Sequence, residues 1–564
     1  MIFHNYKNLV KKVSIAFIAA FMAIFIVSCD EATDALNDDD DNNNIYSGTI
    51  SQNTTWGEGV HVVDGCLRIE NATLTIKPGA IVEFESNACM EIQEGGAVSA
   101  VGNSSKMIIF TGKQMQKGFW RYIAVEKSAN ANDTKFEYCT FRYGGGYSDN
   151  SYILGIEGGS PTVSNCTFSN SSSNGMYIES ESSPVMADNI ITECDGAPVR
   201  TYFNVAHHIN SGAFTGNNKD YILVHANELK SSVEWNALDV PYQIDGGAKI
   251  EDANLKIHKG TRVQMASNSY FEIRSGGSID AQGEENMPIT IEGAVNQAGY
   301  WRYMEFKPGS DNSNNIFKYC NISDGGGYSN SSSIIYIDDS NPVFENCSIS
   351  NSSSFGMKIV GSSEPMIEDN DFFDNTLAPL YASFHHVGTI GLNSFAGNME
   401  DHILIDGSKL TSDATMIKQE VPWRITPGAK IDGAVLTVEP GTTIEFDTNG
   451  YIEVEAGSGL YAVGTPAEQI TFTGALKQHG YWRYIDFGDN VNNAMSVLDH
   501  CIVEYGGGYN NNSGIITIGG SKPSIHNTTV AYSSSWGIKL YDGNADPDLE
   551  NITYIDNKNG DINN

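Results

Sequence analysis

Short runs in which apolar and polar residues alternate cover most of this chain. In AIVEFES (80–86), Val82 and Phe84 face one way and Glu83 the other. TRVQMAS places Val263 and Met265 in the same pattern, and TIEFDT places Ile444 and Phe446 in it. MEI, FEI and IEV at 90–92, 271–273 and 452–454 repeat it. Each run is bounded by Gly, Asn, Ser or Pro. Alternation over a few residues between turn signals predicts strands. Beyond the N-terminal segment no stretch sustains a helical period. The turns recur about every 22 to 28 residues, an interval that suits one coil of a solenoid.

A longer period contains the short one. GFWRY (118–122), GYWRY (299–303) and GYWRY (480–484) are 181 residues apart. The same step separates the GGGY runs that begin at Gly144, Gly325 and Gly506, and the triple serines that begin at Ser171, Ser352 and Ser533. Three tandem units follow, at about 46–226, 227–407 and 408–564, the last ending early. A chain this long exceeds what one globular core supports. A solenoid escapes that limit because each repeat packs only on its neighbours.

One slot ahead of comparable strands holds Cys139, Cys166 and Asn189. It holds Cys320, Cys347 and Asn370 in the second copy, and Cys501, Thr528 and Asn551 in the third. Small polar or thiol side chains stacked at a corner predict a ladder bonded to neighbouring backbone. No clustered Cys pair of the zinc-binding kind occurs. Cys66 and Cys89 lack counterparts in the other copies and are candidates for one local disulfide.

LTIKPGAIVEF…AVSAVG…IIFTG and LTVEPGTTIEF…GLYAVG…ITFTG resemble the right-handed parallel β-helix repeats of bacterial surface and secreted proteins. PTVSNCTFSNSSSNGMYI resembles the coil repeat of the pectin-lyase type. The resemblance covers about residues 45–564 and implies an all-β, right-handed parallel β-helix with Leu74, Ile76 and Phe84 in its lumen. With about eight coils per unit and a rise of about 4.8 Å, equivalent points lie roughly 40 Å apart on a rod on the order of 100 Å long. The copied segment is expected along a single side. The fold hosts lyases, hydrolases, adhesins and tailspikes alike, so it does not choose among them.

Charge and the N-terminus narrow the setting. The formal charge is −36 and the pI about 4.5, which disfavours nucleic acid and other polyanions. Lys7, Lys11 and Lys12 precede an apolar run that ends at Ser28, as in a secretory signal. Ile26-Val27-Ser28-Cys29 resembles a lipobox, which implies a signal peptide at 1–28 and lipidation of Cys29. The acidic stretch at 29–45 reads as a solvated tether. The expectation is a lipid-anchored outer-membrane protein exposed at the cell surface.

The candidate ligand-binding residues are Trp120, Arg121 and Tyr147, with Trp301, Arg302 and Tyr328, and Trp482, Arg483 and Tyr509. Trp and Tyr offer an apolar platform and Arg offers donors, which suits a polysaccharide or other glycan. The other reading is that Trp and Arg pin a coil corner. Catalytic candidates are weaker. His207-His208 and His385-His386 accompany Arg200, Asp188, Tyr381 and Asp369, and adjacent histidines on a strand would point to opposite faces. Acidic stripes through Glu83, Glu91, Glu272, Glu445 and Glu453 read as solvated faces or a Ca²⁺ surface. No cofactor and no catalytic residue is assigned. The expected function is recognition or adhesion, with a polysaccharide lyase or glycoside hydrolase, or a spacer or protein-binding rod, as alternatives.

Overall fold

The computed structural model describes residues 44–564 apart from Asn330, Ser331, Asp542 and Asn564. The expected signal peptide 1–28, the expected lipidation at Cys29 and the expected tether as far as residue 43 lie outside the described residues.

One turn of the chain takes in three strands, for example Thr73–Ile76, Ala80–Phe84 and Cys89–Gln93. The next turn begins at Ala97–Val101, which lies parallel on Thr73–Ile76 with Thr73 opposite Ala97 and Ile76 opposite Ala100. Residues 46–564 form one compact unit built this way, an all-β parallel β-helix of about 22 turns. Thr75, Glu83 and Glu91 face outward on these strands, and the residues alternating with them close the lumen: Leu74, Ile76, Val82 and Phe84 are fully or almost fully buried.

The sharp corners explain why single polar residues punctuate the runs. Tyr138, Asn165 and Asp188 have φ of 51°, 53° and 52°, and each immediately precedes a ladder position. One left-handed residue turns the chain between two strands, and Asn and Asp adopt that conformation at low cost. The ladder then fills. The Asn189 amide donates to Val163 O at 2.9 Å, and its Oδ1 accepts from Cys166 N at 3.1 Å. Asn370 does the same between Phe344 O and Cys347 N, and Thr528 Oγ1 accepts from Cys501 N at 3.3 Å. The thiols of Cys139, Cys320 and Cys501 donate to lumen-side carbonyls, and burial pushes all three pKa values up. Asn551 departs from the expected slot. It occupies the corner itself (φ 54°) and bonds Asn527, because the last turn carries one extra residue and pairs Thr529 with Thr553.

Cys66 and Cys89 form the local disulfide, with Cα atoms 4.4 Å apart. The other copies put Gly247 and Tyr270, or Gly428 and Tyr451, at these positions. There the tyrosine ring lies over the glycine, where a Cβ would fall 2.1 Å from Tyr270 Cζ or 2.4 Å from Tyr451 Cδ1.

Call the sides of the first copy I (from Ala80–Phe84), II (from Cys89–Gln93) and III (from Thr73–Ile76). Side II continues through Ile123–Glu126, Tyr152–Glu157, Asn174–Ile178, Val199–Tyr202 and Ile222–His225. It does not end with the copy. Ile222 pairs with Tyr242, and Tyr242 with Val263. Arg262–Met265 is the second copy's equivalent of Ala80–Phe84, a side-I strand. The same splice joins the second copy to the third, where Ile403 pairs with Trp423 and Trp423 with Ile444. Seven steps lead from Cys89–Gln93 to Arg262–Met265, and one further side leads to Tyr270–Ile273, the counterpart of Cys89–Gln93. The step from one copy to the next is therefore seven and one-third turns, about 35 Å, and each copy is rotated by one side from the copy before. The expectation of eight coils and one shared side is corrected by this register.

The junctions are marked in the chain. The 3₁₀ turns Ala206–His208 and Phe384–Thr389 interrupt the strand pattern there. Just beyond, the buried Tyr242 or Trp423 fills the lumen at the position that His61 occupies in the first copy.

Candidate functional site: a repeated tyrosine–arginine surface

GFWRY lies between Ile108–Gly112 on side I and Ile123–Glu126 on side II. Its tryptophan turns inward. Trp120, Trp301 and Trp482 are all 0% exposed. Trp120 stacks on Phe84 and Trp482 on Phe446, with centroids 4.2 Å apart in both pairs. Their Nε1 atoms donate to Arg142 O (2.9 Å), Ser323 O (2.6 Å) and Glu504 O (2.8 Å). The three tryptophans are thus not a surface platform. Their size and apolar area favour the lumen, and the neighbouring carbonyl satisfies the one polar atom. The glycine run makes room for them: a Cβ on Gly144 would stand 2.8 Å from the Trp120 ring, and one on Gly146 would stand 2.0 Å from Gly118 O.

Arginine and tyrosine face outward. Arg121 N bonds Ala88 O at 2.8 Å, which fixes the corner. Its guanidinium lies 5.5 Å from the ring centroid of Tyr147, carried by the GGGY loop. Arg302 over Tyr328 (5.5 Å) and Arg483 over Tyr509 (5.4 Å) repeat the contact. Tyr147, Tyr328 and Tyr509 are 63%, 63% and 53% exposed. Each also meets a second tyrosine edge-on: Tyr122, Tyr303 or Tyr484, at 5.5–5.6 Å and 82–85°. In the later copies a further ring reaches the arginine, Tyr270 at 5.6 Å and Tyr451 at 5.5 Å. The first copy has Cys89 there.

The hydrogen-bonding state of these arginines sets them apart. Arg68, Arg142, Arg200, Arg262, Arg274 and Arg424 all donate to a partner. Among the described residues Arg121, Arg302 and Arg483 have ring contacts but no hydrogen bond or ion pair from the guanidinium, and Arg483 Nε is buried without a partner. The acids nearby are already engaged. Glu91 accepts from Arg68 and from Tyr122 Oη (3.2 Å), and Glu453 accepts from Lys430 and from Tyr484 Oη (3.1 Å). Glu272 pairs with Arg274, and Glu445 with Arg424. Of the stripe acids, Glu91, Glu445 and Glu453 are thus in cross-coil ion pairs, and Glu272 pairs with Arg274 within its own coil. Burial, with Glu91 or Glu305 beside them, pushes the phenols of Tyr122 and Tyr303 up to about 12.

The aromatic surface extends past the predicted residues. In the first copy Tyr122, Tyr152, Tyr177, Tyr202 and His225 follow one another along side II at 5.6–6.5 Å, with Arg200 over Tyr177 at 5.0 Å. In the second, Lys358 lies between Tyr336 and Tyr381. These were legible only as outward positions recurring once per coil.

The histidine pairs are junction elements. Their rings sit 4.0 and 3.9 Å apart on the 3₁₀ turns, not on opposite faces of a strand. His386 Nδ1 accepts from Ser383 N, and its Nε2 lies 3.2 Å from Gly361 O, so a neutral ring satisfies both. Burial and the paired ring push His386 and His208 down to about 4. Arg200 is bonded to His225 and Asn150 O, and Asp188 and Asp369 form left-handed corners. A polar recess near Glu292, Asn296 and Phe373 holds Asp324, whose carboxylate already accepts from Gly293 N, Ser323 Oγ and Asn351 Nδ2.

A family model described as "Right handed beta helix region" matches residues 90–238 and 309–421. No curated protein matches the chain.

Proposed function

As the chain is a right-handed parallel β-helix protein of the pectin-lyase-like kind, we propose that it is a glycan-binding rod acting in recognition or adhesion at the cell surface. The observation that carries this reading is the set of three guanidinium groups, each held on an exposed tyrosine and each without a hydrogen-bond or ion-pair partner among the described residues. A sugar ring has an apolar face that packs on tyrosine and a rim of hydroxyls that accept from arginine. Holding the donor group on a ring lowers the ordering cost of binding. In this proposal a lipid on Cys29 anchors the tether, and Cys29→Ala releases the protein from membranes. A glycan array probed with the mature protein tests the site. Binding that the Arg121→Ala/Arg302→Ala/Arg483→Ala variant loses tenfold or more supports it, and binding indifferent to all three changes removes it.

A second reading rests on Asp486. It lies opposite Glu453 on the neighbouring strand, accepts from Thr517, and burial pushes it up to about 6. A carboxyl with a raised pKa beside a second carboxyl group is the pairing glycoside hydrolysis uses. New reducing ends from a polysaccharide, lost in Asp486→Asn, would support this reading. Their absence across a polysaccharide panel would leave binding alone.

A further inference from the structure

The three tyrosine–arginine sites do not share a side. Arg121 stands at the corner leading onto side II, whose sheet begins with Cys89–Gln93 and Ile123–Glu126. Arg302 stands at the corner leading onto Tyr270–Ile273 and Met304–Phe306. That sheet is separate from side II, because side II is occupied at this level by Arg262–Met265 and Ile289–Gly293. Arg483 leads onto Ile452–Val454 and Ile485–Phe487, while the second copy's sheet runs past it as Thr443–Phe446 and Ile470–Gly474. Successive sites are therefore turned by one side of a three-sided rod and are about 35 Å apart along it.

The rod cannot bring them into line. At each junction one sheet passes from copy to copy with its pairing unbroken, Ile222 to Tyr242 to Val263 and Ile403 to Trp423 to Ile444. Each site is also complete within its own copy: the arginine, the loop tyrosine and the edge-on tyrosine all come from one unit. A polysaccharide lying straight along one side meets one such site and runs away from the other two.

We propose that the three sites hold three different polysaccharide chains, so that one molecule of this protein cross-links a glycan network. The proposal rests on the glycan-binding reading and adds to it the number and direction of the chains. Three sites on one rigid body raise the strength of attachment to a network without any new contact, whereas a single chain gains nothing from the second and third site.

The test uses the mature protein with xylan, dextran and polygalacturonate, each as long chains and as short oligosaccharides. Binding is followed by co-sedimentation and cross-linking by light scattering. The expected result is binding to at least one long polymer, with scattering that rises to a maximum and falls again in protein excess. Arg302→Ala/Arg483→Ala, which leaves the Arg121 site, still sediments with that polymer but gives no rise. Tyr328→Ser/Tyr509→Ser behaves the same way, and thermal melting confirms that both variants are folded. Wild-type protein that binds a polymer yet scatters no more than these variants overturns the cross-linking proposal alone. So does a stoichiometry of one short oligosaccharide per protein. Failure of the wild type to bind any of the three overturns the glycan reading and the inference with it.

Discussion

Within WRY the tryptophan and the arginine divide the work between lumen and surface. Trp301→Ala removes a fully buried side chain, and a loss of about 3–5 kcal/mol is expected. It is read as a lowered denaturation midpoint, with any binding defect following from unfolding. Arg302→Ala leaves the melting temperature within about a degree, because its guanidinium makes ring contacts but no hydrogen bond or ion pair among the described residues, and weakens glycan binding instead. The sequence placed both residues at a corner, but not the direction each would take. Arg483 shares parity with Ile485 and Phe487, so alternation alone misassigns it. Gly144, two residues past the strand Cys139–Arg142, or its equivalent in each copy, is what admits the indole.

Titration at single residues gives a further expectation. Asp486 is pushed up to about 6 in the folded protein, against an ordinary value near 4. The folded state therefore binds more protons than the unfolded state between those values, and stability falls as pH rises through this window. Asp486→Asn should raise stability above pH 6 by up to about 3 kcal/mol and leave it unchanged near pH 4. His208 and His386 act in the opposite sense. Their folded values lie near 4, so they oppose folding increasingly as pH falls below about 6.5. Denaturant midpoints measured at pH 4, 5, 6 and 7.5 separate the two effects.

Strands and corners were the most legible level. Alternation marked the strands, and the Cys/Asn slot marked the ladder, because each coil must meet the same backbone carbonyls at the same corner. Asn551 escaped this logic: one added residue in the last turn moves it from slot to corner, and identity at a fixed interval cannot show that. Between elements, the first copy uses Cys66–Cys89 where the others lay a tyrosine over a glycine. Cys66→Gly/Cys89→Tyr is expected to fold, to make the melting temperature insensitive to reductant, and to place a second ring against Arg121. Stronger binding at that site than in the parent, measured in the Arg302→Ala/Arg483→Ala background, would check the last point.

At the scale of the whole rod, the period of 181 residues showed that there were three copies and hid how they are turned. The interval counts residues, whereas orientation depends on how many sides those residues cover. Coils differ in length, so only the pairing of Ile222 with Tyr242 reveals the extra third. The histidine pairs fit the same account: they stand where one copy passes to the next, and the third copy ends before that point. Deleting residues 227–407 should rejoin Ala226 to Ser408 in register, because Ala226 and Gly407 are equivalent positions. The expected product is a folded rod shorter by about 35 Å in small-angle scattering. An unfolded product would show that the copies are not interchangeable.

The fractional turn also gives the copy number a meaning. One unit leaves the tube a third of a rotation out of phase with its own start, and two leave it two-thirds out. Three units bring it back, so that any fourth would begin facing where the first did. Internal duplication of this segment therefore runs through a cycle of three headings, and the copies that begin near residues 46, 227 and 408 take one heading each.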